Sequence, residues 1–180
     1  IKSGRTRDGI VAARPTENVI VRNCRMQNGH GGVVVGSEIS GGFKKLFVED
    51  CIMDSPDLDR VIRIKTNSCR GGVIEDIFVR NVKVGQCNEA VLKINLVYDK
   101  KEICQRDFPP TVQNVFLQNV TCNESKYGVK IEGFDDICNI HNIVVENCSF
   151  NGVVTGGNSI EGLTEGVKFI NLKINGKLVK

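Results

Sequence analysis

The chain has 180 residues, enough for one domain or two small ones, and is 41% hydrophobic and 25% charged, a composition that builds a core and excludes a disordered tail. Its net charge of +3 is too small to argue for nucleic acid, and no apolar run reaches the roughly 20 residues of a membrane helix. Ile1-Lys2-Ser3-Gly4 has neither the charged leader nor the apolar stretch of a signal peptide, and no initiator Met, as expected of a mature or truncated piece.

Six short segments repeat along the chain. In order they are Val19-Ile20-Val21-Arg22-Asn23, Leu46-Phe47-Val48-Glu49-Asp50, Ile77-Phe78-Val79-Arg80-Asn81, Val115-Phe116-Leu117-Gln118-Asn119, Ile143-Val144-Val145-Glu146-Asn147 and Val167-Lys168-Phe169-Ile170-Asn171. Their starts lie 27, 31, 38, 28 and 24 residues apart. Each is β-branched or aromatic and ends on a turn former, so each reads as a strand. A short strand follows each Asn or Asp, and a further strand is expected at 32–36, 61–65, 90–96 and 129–133. Three strands per repeat, irregular inserts and no helical periodicity predict an all-β chain: a right-handed parallel β-helix, a solenoid of about six rungs. Residues 1–180 then form one portion of a single β-helix domain.

In such a coil Asn23, Asp50, Asn81, Asn119, Asn147 and Asn171 line one corner. Asn and Asp tolerate the left-handed backbone that a sharp corner demands, and stacked amides hydrogen-bond along the axis. The competing fold is a β-sandwich. It is disfavoured because Asn28-Gly29, Asn151-Gly152 and Asn175-Gly176 fall after third strands rather than between paired strands.

Eight cysteines invite a disulfide framework, but the repeat absorbs half of them. Cys24, Cys51 and Cys148 share a column with Val82, Val120 and Leu172, and Cys122 shares one with Met26, Met53 and Phe150. There they act as small buried hydrophobes. Cys69, Cys87, Cys104 and Cys138 are assigned to loops, with room for one or two bridges. No cysteine–histidine spacing is taken as a zinc signature, and no metal or cofactor is expected.

In Val61-Ile62-Arg63-Ile64-Lys65, inward Ile62 and Ile64 send Arg63 and Lys65 outward, about 6–7 Å apart. Aligning Ile62/Ile64 with Leu92/Ile94 and Val129/Ile131 stacks Arg63 on Lys93 and Lys93 on Lys130, about 4.8 Å per step. Such a column needs intervening acids (Glu89, Glu132, Asp135) or a polyanion across it. A solvated face with snorkelling lysines is the plain alternative for Lys93 and Lys130. His30, in Gly29-His30-Gly31-Gly32, lies about one rung before Arg63, and its glycines allow close approach to a ligand.

These residues together resemble glycoside hydrolase family 28, the polygalacturonases. The likeness rests on Gly29-His30-Gly31, Gly36-Ser37-Glu38, Asp59-Arg60-Val61-Ile62-Arg63-Ile64-Lys65-Thr66 and Gly71-Gly72-Val73, in that order and spacing. It covers essentially the whole chain. Gly36-Ser37-Glu38 is more like the bacterial, often exo-acting, branch. The resemblance implies inverting hydrolysis of α-1,4 bonds between galacturonate units of polygalacturonate or pectin. It implies that His30 assists the catalytic carboxylates and that Arg63 and Lys65 bind substrate carboxylates; Lys93, next in the column, is added to the binding set. A polymeric acidic substrate implies a secreted or periplasmic protein, with no nucleic-acid or membrane partner.

One departure is large. The family takes its catalytic acids from an Asn-Thr-Asp and an Asp-Asp motif upstream of its Gly-His-Gly, and neither is present. The chain resembles the C-terminal part of the family's domain, beginning just after those aspartates, and is expected to be inactive alone. Asp135-Asp136 lies downstream and reads as a turn. Two other readings compete. One is a non-catalytic β-helix that binds acidic polysaccharide, or an adhesin or tailspike-like scaffold. The other is a calcium-dependent lyase, disfavoured because no acidic cluster lies on the outward column.

Overall fold

The computed structural model describes residues 1–179; Lys180, the last residue of the expected domain, lies outside the described residues. A short helix, α1 (Thr6–Ala12), precedes eighteen strands that fall three to a rung. The first rung is β1 (Thr16–Arg22), β2 (Arg25–Met26) and β3 (Val33–Gly36). The second is β4 (Phe43–Glu49), β5 (Ile52–Met53) and β6 (Arg60–Lys65). The third is β7 (Val73–Arg80), β8 (Lys83–Gln86) and β9 (Ala90–Asn95). The fourth is β10 (Thr111–Gln118), β11 (Thr121–Glu124) and β12 (Tyr127–Glu132), and the fifth is β13 (Ile140–Glu146), β14 (Ser149–Phe150) and β15 (Ser159–Glu161). The sixth is β16 (Glu165–Ile170), β17 (Lys173–Ile174) and β18 (Lys177–Leu178).

Equivalent strands of successive rungs pair in parallel, with β18 alone folding back antiparallel on β17, and make three sheets, ordered β1-β4-β7-β10-β13-β16, β2-β5-β8-β11-β14-β17-β18 and β3-β6-β9-β12-β15. This is the expected right-handed parallel β-helix. The register of the first sheet joins the starts of all six repeats: Val19 to Leu46, Leu46 to Ile77, Ile77 to Val115, Val115 to Ile143 and Ile143 to Val167.

Inward residues of the middle rungs are fully buried, as with Leu46, Ile77, Leu92, Val115 and Ile143. At the two ends Val19, Val21, Val167 and Phe169 are only partly buried, because each has a neighbouring rung on one side alone. Outward from the first sheet, Phe47, Phe78 and Phe116 stack with centroids 5.3 Å apart.

The corner ladder has the left-handed backbone expected, with φ between 50° and 55° at Asn23, Asp50, Asn81, Asn119, Asn147 and Asn171. Asn81 Nδ2 donates to Asp50 Oδ1 at 3.1 Å and Asn171 Nδ2 to Asn147 Oδ1 at 2.9 Å. A second left-handed column was not anticipated: Asn18, Lys45, Asp76, Asn114 and Asn142. It bends the first sheet just before each inward triplet, and Asn142 Nδ2 donates to Asn114 Oδ1 at 2.9 Å.

α1 packs its buried Gly9 beside Ser40. Two expectations need correction. Asn175-Gly176 does join paired strands: β17 and β18 form an antiparallel hairpin across it, both residues having the positive φ of such a turn. Cys87 lies in the loop between β8 and β9, as expected, and is buried there. Cys24, in the buried column by spacing, is exposed because the first rung leaves it uncovered, whereas Cys51, Cys122 and Cys148 are buried. Cys69 and Cys104 form one disulfide with Cα atoms 5.7 Å apart, and the other six thiols are free. Burial pushes Cys148 up to about 11, so it remains a thiol.

Candidate functional site

The third sheet builds the candidate site. Its register sets Val34 beside Arg63, Arg63 beside Lys93 and Lys93 beside Lys130, which is the expected cation column. A second outward column runs Gly36, Lys65, Asn95 and Glu132.

His30 sits where the chain turns into β3. Gly29 bridges to Leu58, so His30 faces Asp59 of the next rung, with Nδ1 3.0 Å from Asp59 Oδ2. Its side chain is 86% exposed. Arg63 Nη1 donates to the His30 carbonyl at 3.5 Å. Two of the glycines here also set the packing. A Cβ on Gly32 would lie 2.3 Å from Met53 Sδ, and one on Gly31 2.7 Å from Val34 Cγ2 and 3.4 Å from Arg63 Cβ. They let the first rung close on the second, and so fix where His30 emerges.

Arg63 is only 9% exposed. Burial and then the neighbouring Arg60 work against its charge, while Tyr98, Glu89 and Asp59 favour it. Its buried Nε has no protein partner. Lys65 Nζ stands 4.6 Å from the Tyr98 ring centroid, with Arg63 Cζ at 5.7 Å and Arg70 Cζ at 6.0 Å. An aromatic face among cations lowers their mutual repulsion without consuming their hydrogen-bond donors.

Tyr98 arrives on the insert after β9, which is fastened to the turn after β6. Tyr98 N donates to Thr66 O at 3.1 Å, and Asn67 Nδ2 donates to Tyr98 O at 2.8 Å and to Glu102 Oε2 at 2.7 Å. Arg70 is ion-paired to Glu102 at 3.0 Å, and the Cys69–Cys104 bridge ties the same two segments. Nothing in the spacing of Leu96-Val97-Tyr98 pointed to this site. A lone Tyr in a non-repeating insert has no column to belong to.

The remaining cations are occupied. Lys93 pairs with Glu89, and with Glu132 at 3.2 Å. Lys130 lies 3.4 Å from Glu132 and 3.7 Å from Glu89. Arg60 pairs with Glu89, and with Asp59 at 2.9 Å. Arg63 and Lys65 are the two cations of this face without an ion pair among the described residues. Lys93 is thus brought into the column, but its ammonium is buried and shared by two carboxylates.

The acids nearby are held ionised. The hydrogen bond from His30 keeps the Asp59 carboxyl below its ordinary value. Burial pushes Glu89 up, but Lys93 and Arg60 outweigh it and leave it below the ordinary range. Asp135 and Asp136 lie exposed in the loop between β12 and β13. The arrangement can therefore grip a carboxylate: a guanidinium fork suits two oxygens, and an ammonium adds a point charge beside it.

Comparison with known proteins bears on the family and the fold. The model of the glycosyl hydrolases family 28 matches residues 4–166. A probable polygalacturonase of Vitis vinifera is 26% identical over 181 aligned positions, covering 93% of this chain and 35% of that relative. A hyperthermoactive exopolygalacturonase from Thermotoga maritima, a solved structure, superposes with a TM-score of 0.84 at 31% identity, over 99% of this chain and 39% of its own. The chain spans between a third and two fifths of the length of these relatives. Among the described residues no helix is long and apolar enough to cross a membrane.

Proposed function

The chain belongs to the glycosyl hydrolases family 28, and from that premise we propose that it carries the substrate-holding half of a site that hydrolyses α-1,4-galacturonosyl bonds in polygalacturonate or pectin. The observation that carries the reading is that, among the described residues, Arg63 and Lys65 lack ion pairs on a face where the other cationic side chains have them. Arg63 receives a uronate carboxylate on its guanidinium and Lys65 adds its ammonium, with Tyr98 keeping the two apart in charge. Lys93 contributes positive field from the next rung, held there by Glu89 and Glu132. His30, oriented by Asp59, assists the reacting carboxylates.

Inverting hydrolysis needs one carboxylic acid to protonate the leaving oxygen and one carboxylate to activate water. Asp59, Glu89 and Glu132 are each engaged by cations or by His30, which suits none of them to donate a proton. Both acids are therefore assigned to a part of the β-helix domain outside these residues, of which this chain is the C-terminal portion. A cell-wall polymer as substrate goes with a secreted or periplasmic protein.

The 180-residue chain mixed with polygalacturonate tests this directly. Binding without release of reducing ends is expected. Robust turnover would refute the placement of the acids, and absence of binding would refute the uronate grip. Equal binding of a neutral galactan would favour a general polysaccharide scaffold instead.

A further inference from the structure

We propose that Cys138, His141 and Glu165 form a site for a borderline-soft divalent transition metal, Zn²⁺ in the first instance, that staples the fifth rung to the sixth. One ligand atom from each of the three lies within 4.8 Å of the others. The site is on the outer side of the first sheet, separate from the third-sheet column that carries Arg63 and Lys65.

The donors are held by the coil rather than by chance. His141 is the second residue of β13 and pairs in register with Glu165, which opens β16. Its Nδ1 stands 3.1 Å from Glu165 Oε2. Between Cys138 and His141, Asn139 is buried and its Nδ2 donates to Pro110 O at 2.8 Å. Ile140 points into the core. These two anchors fix the Cys-x-x-His segment while leaving Cys138 and His141 half-exposed. On the other side of His141, Gln113 is turned away, its amide donating to Glu75 Oε2 at 2.6 Å.

The distances suit a tetrahedral ion. Zn–N and Zn–O bonds of about 2.1 Å and a Zn–S bond of about 2.3 Å place donor atoms roughly 3.3–3.6 Å apart. The histidine–carboxylate pair, at 3.1 Å, needs to open by a few tenths of an ångström, and the thiol needs a shift on the order of an ångström. Thiolate with imidazole selects Zn²⁺ or Co²⁺ over Mg²⁺ and Ca²⁺. Binding converts the Cys138 thiol to thiolate and releases one proton. Two anionic ligands then neutralise the ion, and water takes the fourth position. The gain is structural: Val167 and Phe169 of the sixth rung are incompletely covered, and a metal bridging β13 to β16 holds that rung in place.

This revises the expectation that no cysteine–histidine spacing suits zinc. Cys138-Asn139-Ile140-His141 is one, and its third donor comes 24 residues later, in the next rung, where only register brings it alongside.

The test is titration of the intact chain with Co²⁺, followed by displacement with Zn²⁺. The expected result is one equivalent bound, with a thiolate-to-cobalt charge-transfer band. Cys138→Ser should abolish the band, and His141→Gln and Glu165→Gln should each weaken binding at least tenfold. Cys24→Ser, which removes the exposed thiol elsewhere, should change nothing. Zn²⁺ should raise the melting temperature of the parent chain by more than that of Glu165→Gln, whose 78% exposed side chain makes it a variant that folds. No band, a band that survives Cys138→Ser, or equal competition by Mg²⁺ would overturn the proposal.

Discussion

At the second rung of the third sheet, Arg63 and Lys65 face outward without a carboxylate, while one and two rungs further on Lys93 and Lys130 share Glu89 and Glu132. The four cations stand on one sheet in one register, so strand geometry does not distinguish them. What differs is what the inserts bring. After β9 the insert supplies an aromatic ring, which tolerates cations without using up their donors. The residue before β9 supplies Glu89, which closes a network. A row of positive charge is thus left open at one end, where the ligand site is proposed, and closed into an internal ion-pair cluster at the other.

The sharpest way to break this comparison is to remove the charges one at a time. Arg63→Ala should weaken binding of a galacturonate oligomer by about 30-fold, the loss of a charge-assisted hydrogen bond of about 2 kcal/mol, with the melting temperature little changed; calorimetric titration reads it. Glu89→Gln should act the other way. It leaves Lys93 and Arg60 partly buried without full compensation, at about 2 kcal/mol after allowing for partial exposure, or roughly 4–8 °C in melting temperature. Affinity for the oligomer should hardly move.

The same network has a pH signature. The folded-state value of Glu89 is depressed, so its stabilisation is complete above the ordinary carboxylate range and is lost as pH falls through the depressed value. Melting temperature should therefore be flat from neutrality to about pH 5 and drop below about pH 4, a drop that Glu89→Gln reduces. Tyr98→Ala should cost about fivefold in affinity and Tyr98→Phe almost nothing, since the ring face rather than the hydroxyl meets the cations. Lys130→Ala, at the paired end, should change affinity less than twofold. Equal losses for Lys130→Ala and Arg63→Ala would erase the distinction between the two ends.

Legibility in the sequence followed repetition. The rungs, the inward pairs Ile62/Ile64 and Leu92/Ile94, the stacking of Arg63 on Lys93, and the corner Asn ladder were all readable, because each rung restates one pattern and register then follows from period. The second left-handed column was missed because Lys45 and Gly166 interrupt its Asn and Asp residues. Tyr98, α1 and the Asp59 partner of His30 lie in inserts that occur once. The pairing of Lys93 with Glu132 joins residues 39 apart, and only the coil makes them neighbours.

The central claim is that two unpaired cations, Arg63 and Lys65, grip a sugar carboxylate. Its most direct test is a four-way calorimetric titration: an oligogalacturonate and its methyl ester, each into the parent chain and into Arg63→Ala/Lys65→Ala. The parent should prefer the acid by tenfold or more, and the double variant should bind acid and ester alike. An acid preference that survives in the double variant would contradict the account.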